Sequence, residues 1–269
     1  MLETDNAAPS GRGRGNTIQS VAIAARFLNV LAQSAGPMAL RDIAASAGAS
    51  TPMAHRYMQS LIRDGLVRQH AESGYYDLGP AALRIGLAAL RRVDIVEIAA
   101  RHLKALTLAH GVSGGIAIWT DRGPTIVRWY RGPVFAITTV SLGDILPLDG
   151  SATGLTFQCY LPPESIAQCR RTLPRDLKAP ASQRPSGRVL EEIRRRGGAV
   201  RSGHIQSGVA GQAAPVFNAQ NDIACVMTTV SPSGPKDGKE TWRLLSKAAH
   251  QASLDAGASV TAISPDDDG

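Results

Sequence analysis
The chain has 269 residues, 43% of them hydrophobic, which is enough for one large or two small domains with a real core. Aromatic residues make up 4%, which argues against a single-strand nucleic-acid binder built on base-stacking platforms. The formal net charge of +7 favours a polyanionic partner, although solvated surface alone also gives basic balances. Residues 1–16, which include Gly11-Arg12-Gly13-Arg14-Gly15, read as a disordered tail. Arg12 and Arg14 have a second reading as an arm entering a minor groove. The run is no dinucleotide fingerprint, because no strand precedes it and the spacing is absent.

Val21, Ala24, Leu28 and Leu31 give a first helix its apolar stripe, and Gly36-Pro37 breaks it. Leu40, Ile43, Ala44 and Ala47 then share one face of a second helix, ended by Gly48 in a left-handed turn. Ser50 or Thr51 suits the cap of a third helix and Pro52 its first turn. Ala54, Tyr57, Met58, Leu61 and Ile62 face inward, while Met53, Arg56, Gln59, Ser60 and Arg63 point away. That outer face is polar and basic, as a helix lying in a major groove must be. An ordinary helical hairpin with a solvated face is the competing reading. Gly65 to Arg68 starts a strand, Glu72-Ser73-Gly74 makes a turn, and Tyr75 to Leu78 returns. Helix-turn-helix plus ribbon is a winged helix, with Arg68, His70 and Tyr75 offered to a phosphate backbone.

Pro80 opens a linking helix, taken to span 80–94, that continues or re-starts near Val93. Residues 95–109 hold Ile95, Ile98, Ala99, Leu103 and Leu106 at helical spacing. Gly115–Trp119, Thr125–Tyr130 and Phe135–Ser141 read as strands, and a helix begins near Ser151. Residues 162–185 are rich in Pro and Arg and read mostly as loop. Val189–Arg196 is a helix, strands recur near 199–202, 211–217 and 223–230, and a last helix covers 239–256. The tail 257–269 reads as disordered. Antiparallel strands framed by helices make an α+β domain. Pro147 to Gly154 runs from a loop into a helix through small residues, so backbone N–H groups stand open to an anion. A simple helix start closed by its own cap is the plainer reading of the same residues.

The stretches QSVAIAARFLNVL (19–31), LRDIAASAG (40–48), AHRYMQSL (54–61), DGLV (64–67) and YYDLG (75–79) form an ordered set. In that order they resemble motifs of the IclR family of bacterial transcriptional regulators. GDILPLDGSATGLTF (143–157) and GVAGQAAPVFN (208–218) are similar to segments of that family's effector domain. The resemblance spans about residues 17–256. It implies an α+β chain with an N-terminal winged helix-turn-helix (17–79), a linker helix (80–94) and a C-terminal effector-binding domain (95–256) with a GAF/PAS-like antiparallel sheet. It implies that the amides of Ala152 and Thr153 hold an effector carboxylate, with Arg201, Gly211, Met227 and Thr229 also in the pocket. Met227 replaces a position that is often a hydroxyl in relatives, so a more apolar cavity is expected, floored by Leu142, Ile145 and Ile116. Two further departures stand out. Met53 occupies a position where a small polar or basic residue is usual, and Arg201-Ser202-Gly203-His204 replaces a stretch that is often acidic.

The implied partners are double-stranded DNA with a roughly palindromic operator, a small organic acid with aromatic acids included, and further copies of the chain as a homodimer or dimer of dimers. Arg56 and Gln59 are the first candidates for base readout, then His55 and Thr51, with Met53 able to meet a thymine methyl. Ser20, Arg41, Arg63, Arg68 and His70 are expected on phosphates. No serine lies in a GxSxG frame, and the six histidines show no metal spacing, so neither an enzymatic role nor a cofactor is expected. Cys159, Cys169 and Cys225 form no CxxC pair and are expected as reduced thiols in a cytoplasm. No run approaches the roughly eighteen apolar residues of a membrane span. A sensor protein without DNA readout and a hydrolase on an α+β scaffold are the competing functions.

Overall fold
The computed structural model describes residues 18–132, 140–174, 177–202, 209–232 and 235–259. It divides into two compact units, Met1–Arg91 and Arg92–Gly269.

In the first unit α1 covers Gln19–Gln33, α2 Leu40–Ser46 and α3 Thr51–Arg63. The α2–α3 turn depends on Gly48, whose φ of +62° suits a residue without a Cβ. Ser50 occupies the cap position of α3 but its side chain makes no capping bond, and Pro52 lies in the first turn. Phe27, Leu31, Ile43, Met58, Leu61, Val67 and Tyr76 form the core, with the Phe27 and Tyr57 rings 5.5 Å apart. Phe27 anchors α1 there, whereas Val21, expected in the stripe, is exposed. The stripe therefore winds toward Phe27 and Leu31 rather than beginning at Val21. Strands β1 (Val67–Gln69) and β2 (Tyr76–Leu78) pair antiparallel, with Arg68 opposite Asp77.

Helix α4 covers Pro80–Leu90, shorter than the expected 80–94. Asp94 ends any continuation, because its carboxylate accepts from the Glu97 amide at 3.0 Å and caps the next helix. From Leu83 to Leu90 no residue of α4 is buried, and Leu83, Ile85, Leu87 and Leu90 are all exposed.

In the second unit α5 (Ile95–His110) precedes β3 (Ser113–Thr120) and β4 (Gly123–Tyr130). Helices α6 (Ala152–Tyr160), α7 (Pro163–Thr172) and α8 (Gly187–Arg196) follow. The chain then forms β5 (Ala199–Ser202), β6 (Val209–Phe217), β7 (Ile223–Pro232) and α9 (Pro235–Asp255). The five strands make one sheet in the order β4-β3-β7-β6-β5, every pair antiparallel. Its two faces have separate cores. Leu103 of α5 and Leu245 of α9 pack on Ile116, Ala214, Val216 and Met227. Leu155 and Phe157 of α6 pack on Ala117, Ala213 and Val226. Alternation along each strand accounts for the division, since successive side chains point to opposite faces.

Helix α7 corrects the reading of 162–185 as mostly loop. Pro163 is tolerated in a first turn, and Ile166, Cys169 and Leu173 share one buried stripe at helical spacing. Of the third strand expected at 135–141, residues 133–139 lie outside the described residues, and Val140 and Ser141 carry no strand. The two expected tails lie outside them as well, apart from Gly257, Ala258 and Ser259, which are bonded to Leu254, Ser253 and Asn221 and correct the start of the expected C-terminal tail.

Candidate DNA interface and effector site
On α3, Thr51, His55, Arg56, Gln59 and Arg63 are exposed, while Ala54, Met58 and Leu61 are buried beneath them. The helix is thus held by one face and free along the other. Met53 is half-buried, so only part of its side chain is available to a base. Ser20 and Arg41 are exposed, and Arg41 makes only a loose 3.6 Å pair with neighbouring Asp42 at the surface. Arg26 donates to the Ala47 carbonyl at 3.2 Å, tying α1 to the turn that aims α3.

The wing holds a group absent from the expected interface. Asp77 Oδ2 accepts from Arg68 Nη2 at 2.7 Å and lies 3.8 Å from His70 Nε2. Its hydrogen bond from Arg68 holds the carboxyl below the ordinary carboxylate range. Arg68 and His70 therefore do not stand free, as the ribbon alone implied. The signal was present in the hairpin: a turn at Glu72-Ser73-Gly74 brings residues 68 and 77 opposite one another.

In the second unit the entry to α6 is built tightly. Ser151 caps the helix, accepting from the Gly154 amide at 2.9 Å and donating to the Pro147 carbonyl at 2.7 Å. Any Cβ on Gly154 would lie 2.6 Å from the Pro147 carbonyl oxygen, so only glycine lets the loop close on the helix. The amides of Ala152 and Thr153 have no hydrogen-bond partner among the described residues, although these two residues are 4% and 1% exposed. Arg170 of α7 fixes the loop from behind. Its Nη2 donates to Asp149 Oδ1 at 2.6 Å and to Gln158 Oε1 at 2.7 Å, and Gln158 Nε2 donates to the Leu148 carbonyl at 2.8 Å.

The sheet face under α6 carries Gly115, Thr228, Ala213 and Ala199 in one cross-strand row, with Trp129 at its β4 end. Arg201 and Gly211 form a neighbouring pair on that face. A Cβ on Gly211 would meet nothing nearer than the Arg201 carbonyl oxygen at 3.9 Å, so the floor is open there. Arg201 Nε and Trp129 Nε1 are buried without a partner.

Five expected pocket residues are corrected, three of them by strand alternation. Met227 and Ile116 are cross-strand partners in the core under α5 and α9, on the far face of the sheet from α6. Thr229 points the same way, since a Cβ on its partner Gly114 would lie 3.1 Å from Leu103 of α5 and 3.3 Å from Thr229. The expected register is therefore one residue out, and Thr228 is the β7 hydroxyl on the α6 face, donating to the Gln212 carbonyl at 2.8 Å. Leu142 is 66% exposed, and Ile145 packs toward Ile166 and Leu173 rather than forming a floor. His204 lies outside the described residues.

Burial pushes the Cys159 thiol up to about 11 and the Cys225 thiol up to about 12, which makes both poor nucleophiles. No group of three His, Cys, Asp or Glu among the described residues is arranged to hold a metal. His102 instead contacts Asp255 at 2.8 Å. No described helix is long and apolar enough to cross a membrane.

Comparison with known proteins assigns both units. Residues 20–71 match the model of the IclR helix-turn-helix domain, and residues 87–254 match that of the bacterial transcriptional regulator IclR C-terminal domain. The chain belongs to the IclR family. Among its IclR-family relatives, the glycerol operon regulatory protein of Streptomyces coelicolor is 31% identical over 208 residues, 75% of this chain and 80% of that protein. The crystal structure of Pseudomonas aeruginosa HmgR is 32% identical with a TM-score of 0.80, covering 91% of this chain and 100% of that one. The Agobacterium tumefaciens repressor BlcR shares the fold at 19% identity and a TM-score of 0.72, covering 91% of this chain and 99% of its own. As an IclR-family member the chain is a transcriptional regulator with a DNA-binding helix-turn-helix, and that family is made of transcriptional regulators.

Proposed function
We propose that this regulator reads a roughly palindromic operator as a homodimer, or as a dimer of dimers, and that a small organic acid in the second unit sets its affinity for that operator. The observation that carries the ligand half is the donor set around α6. The partnerless polar groups there among the described residues include the Ala152 and Thr153 amides, Arg201 Nε, Arg170 Nε and Trp129 Nε1, which are N–H donors, and the Tyr160 hydroxyl, which can also donate. Buried donors without partners are costly, and an acceptor-rich anion satisfies them. Asp149, the buried carboxylate nearest in sequence, is already committed to Arg170. An acid with its carboxylate on the two amides and a second acceptor toward Arg201, over the open floor at Gly211, fits this arrangement.

In the DNA half, Arg56 and Gln59 read base edges, with His55, Thr51 and the exposed edge of Met53 beside them. Ser20, Arg41, Arg63, Arg68 and His70 contact phosphates and set register. A second copy covers the apolar face of α4, because a helix showing Leu83, Ile85, Leu87 and Leu90 to water is unstable in that state. The ligand changes DNA affinity only through differential binding to two arrangements of the paired winged helices. Such a regulator works in the cytoplasm, where the DNA is.

The test is a fluorescence-anisotropy titration onto duplex DNA from immediately upstream of the protein's own reading frame. It is run across a salt series, against scrambled duplex, with and without a panel of small aliphatic and aromatic carboxylates. Specific, salt-steep binding altered by one carboxylate is expected. Arg56→Ala is expected to cost about 1–3 kcal/mol on the operator and little on scrambled duplex. Equal binding to both duplexes at every salt, with or without carboxylates, would favour a sensor that does not read this DNA.

A further inference from the structure
Asp77 lies between the two side chains that the wing presents. Cross-strand register puts it opposite Arg68, and its two oxygens are both engaged. Oδ2 takes Arg68 Nη2 at 2.7 Å, and Oδ1 takes the Leu78 amide at 2.8 Å, which fixes the carboxylate in place. His70 Nε2 approaches Oδ2 to 3.8 Å and has no hydrogen-bond partner. The pair stays at the surface, with the Arg68 side chain 58% exposed and that of Asp77 27% exposed. Arg68 can therefore still reach an external anion, but only beside an anion already present.

This geometry has an electrostatic consequence for DNA. A phosphate approaching Arg68 meets a carboxylate within a few ångströms of the same guanidinium. Like charges at that range repel, and the repulsion falls on every sequence equally, because phosphates carry no sequence information. Base-edge contacts made by α3 are untouched. We infer that Asp77 is a built-in phosphate mimic that weakens the wing's backbone contact and so lowers affinity for every duplex alike. The inference rests on the reading above that the wing touches DNA. It adds an acidic side chain that opposes binding, and so sets overall affinity rather than sequence preference.

The test uses the full chain and a scrambled duplex, so it needs no knowledge of the operator. Asp77→Asn keeps the oxygen that accepts from Leu78 and removes the charge. It is expected to tighten binding to scrambled duplex roughly threefold at low salt, the effect of removing one like charge several ångströms from a phosphate in water. The slope of log affinity against log salt should steepen by about one counterion. Arg68→Gln should weaken binding and flatten the slope, and Asp77→Asn in that background should have little further effect. Unchanged or weaker binding by Asp77→Asn, with Arg68→Gln still weakening it, overturns the inference and leaves the wing contact standing. No effect of Arg68→Gln overturns the wing contact and the inference together. An equal gain from Asp77→Asn with and without Arg68 also overturns it, because the carboxylate would then act by general repulsion.

Discussion
Thr228 and Thr229 are neighbours in β7 with opposite surroundings. Thr228 donates to the Gln212 carbonyl at 2.8 Å under α6. Thr229 is 0% exposed under α5 and α9, and its hydroxyl has no partner. Gln212 Oε1, Ser231 Oγ and Thr107 Oγ1 lack partners on the same side. A buried hydroxyl that makes no bond destabilises, whereas one that is bonded contributes about 1 kcal/mol. Thr229→Val is therefore expected to raise stability by about 1 kcal/mol, and Thr228→Val to lower it by about the same amount, in urea unfolding. The reverse order would mean that the Thr229 hydroxyl is bonded in solution and that the two faces are wrongly assigned. Register explains why this detail was not legible in advance. A strand with apolar or hydroxyl residues at consecutive positions shows no alternation, so residues 226–229 (Val-Met-Thr-Thr) do not declare which of them face α6.

Among the elements, α6 depends most on its neighbours. Its first turn is positioned by the loop from Pro147 to Gly150, and that loop is held by Arg170 of α7 through Asp149. The Asp149 side chain is 4% exposed, so removing its partner leaves a buried charge. Arg170→Met is expected to cost about 3 kcal/mol of stability, while Arg170→Met with Asp149→Leu should recover most of the loss. If the single variant costs no more than a surface pair, the loop is held by Ser151 and Gln158 alone. Signals of this kind were legible to different degrees. Capping by Ser151, the turn at Gly48 and the strands bounding Asp121-Arg122-Gly123-Pro124 each follow from local chemistry. Helix α7 does not, because Pro162, Pro163 and the arginines mask a short stripe of Ile166, Cys169 and Leu173 that gains its meaning only by packing on Leu148. The Arg170 clamp was invisible for the same reason, as its partners are 21 and 12 residues away in the chain.

At the scale of the whole molecule, α4 is the element left over. Within one copy its leucines and isoleucine face solvent, and the proposed operator of two half-sites calls for two copies. Leu87→Lys is expected to shift the sedimentation coefficient from dimer toward monomer at micromolar protein, and to weaken binding to a two-half-site duplex more than to a single half-site. An unchanged coefficient would place the interface elsewhere. The unpartnered donors at α6 have a different consequence. The Ala152 and Thr153 amides have no partner among the described residues, so an acid bound there as proposed would satisfy them and stabilise the fold. Whatever fills them adds RT ln(1 + [L]/Kd) to the free energy of unfolding, about 2.7 kcal/mol at a hundredfold excess over Kd. On the proposed reading the melting temperature of the purified chain reports its ligand, and a library of acids can be screened by heat alone, before any operator or regulated gene is known.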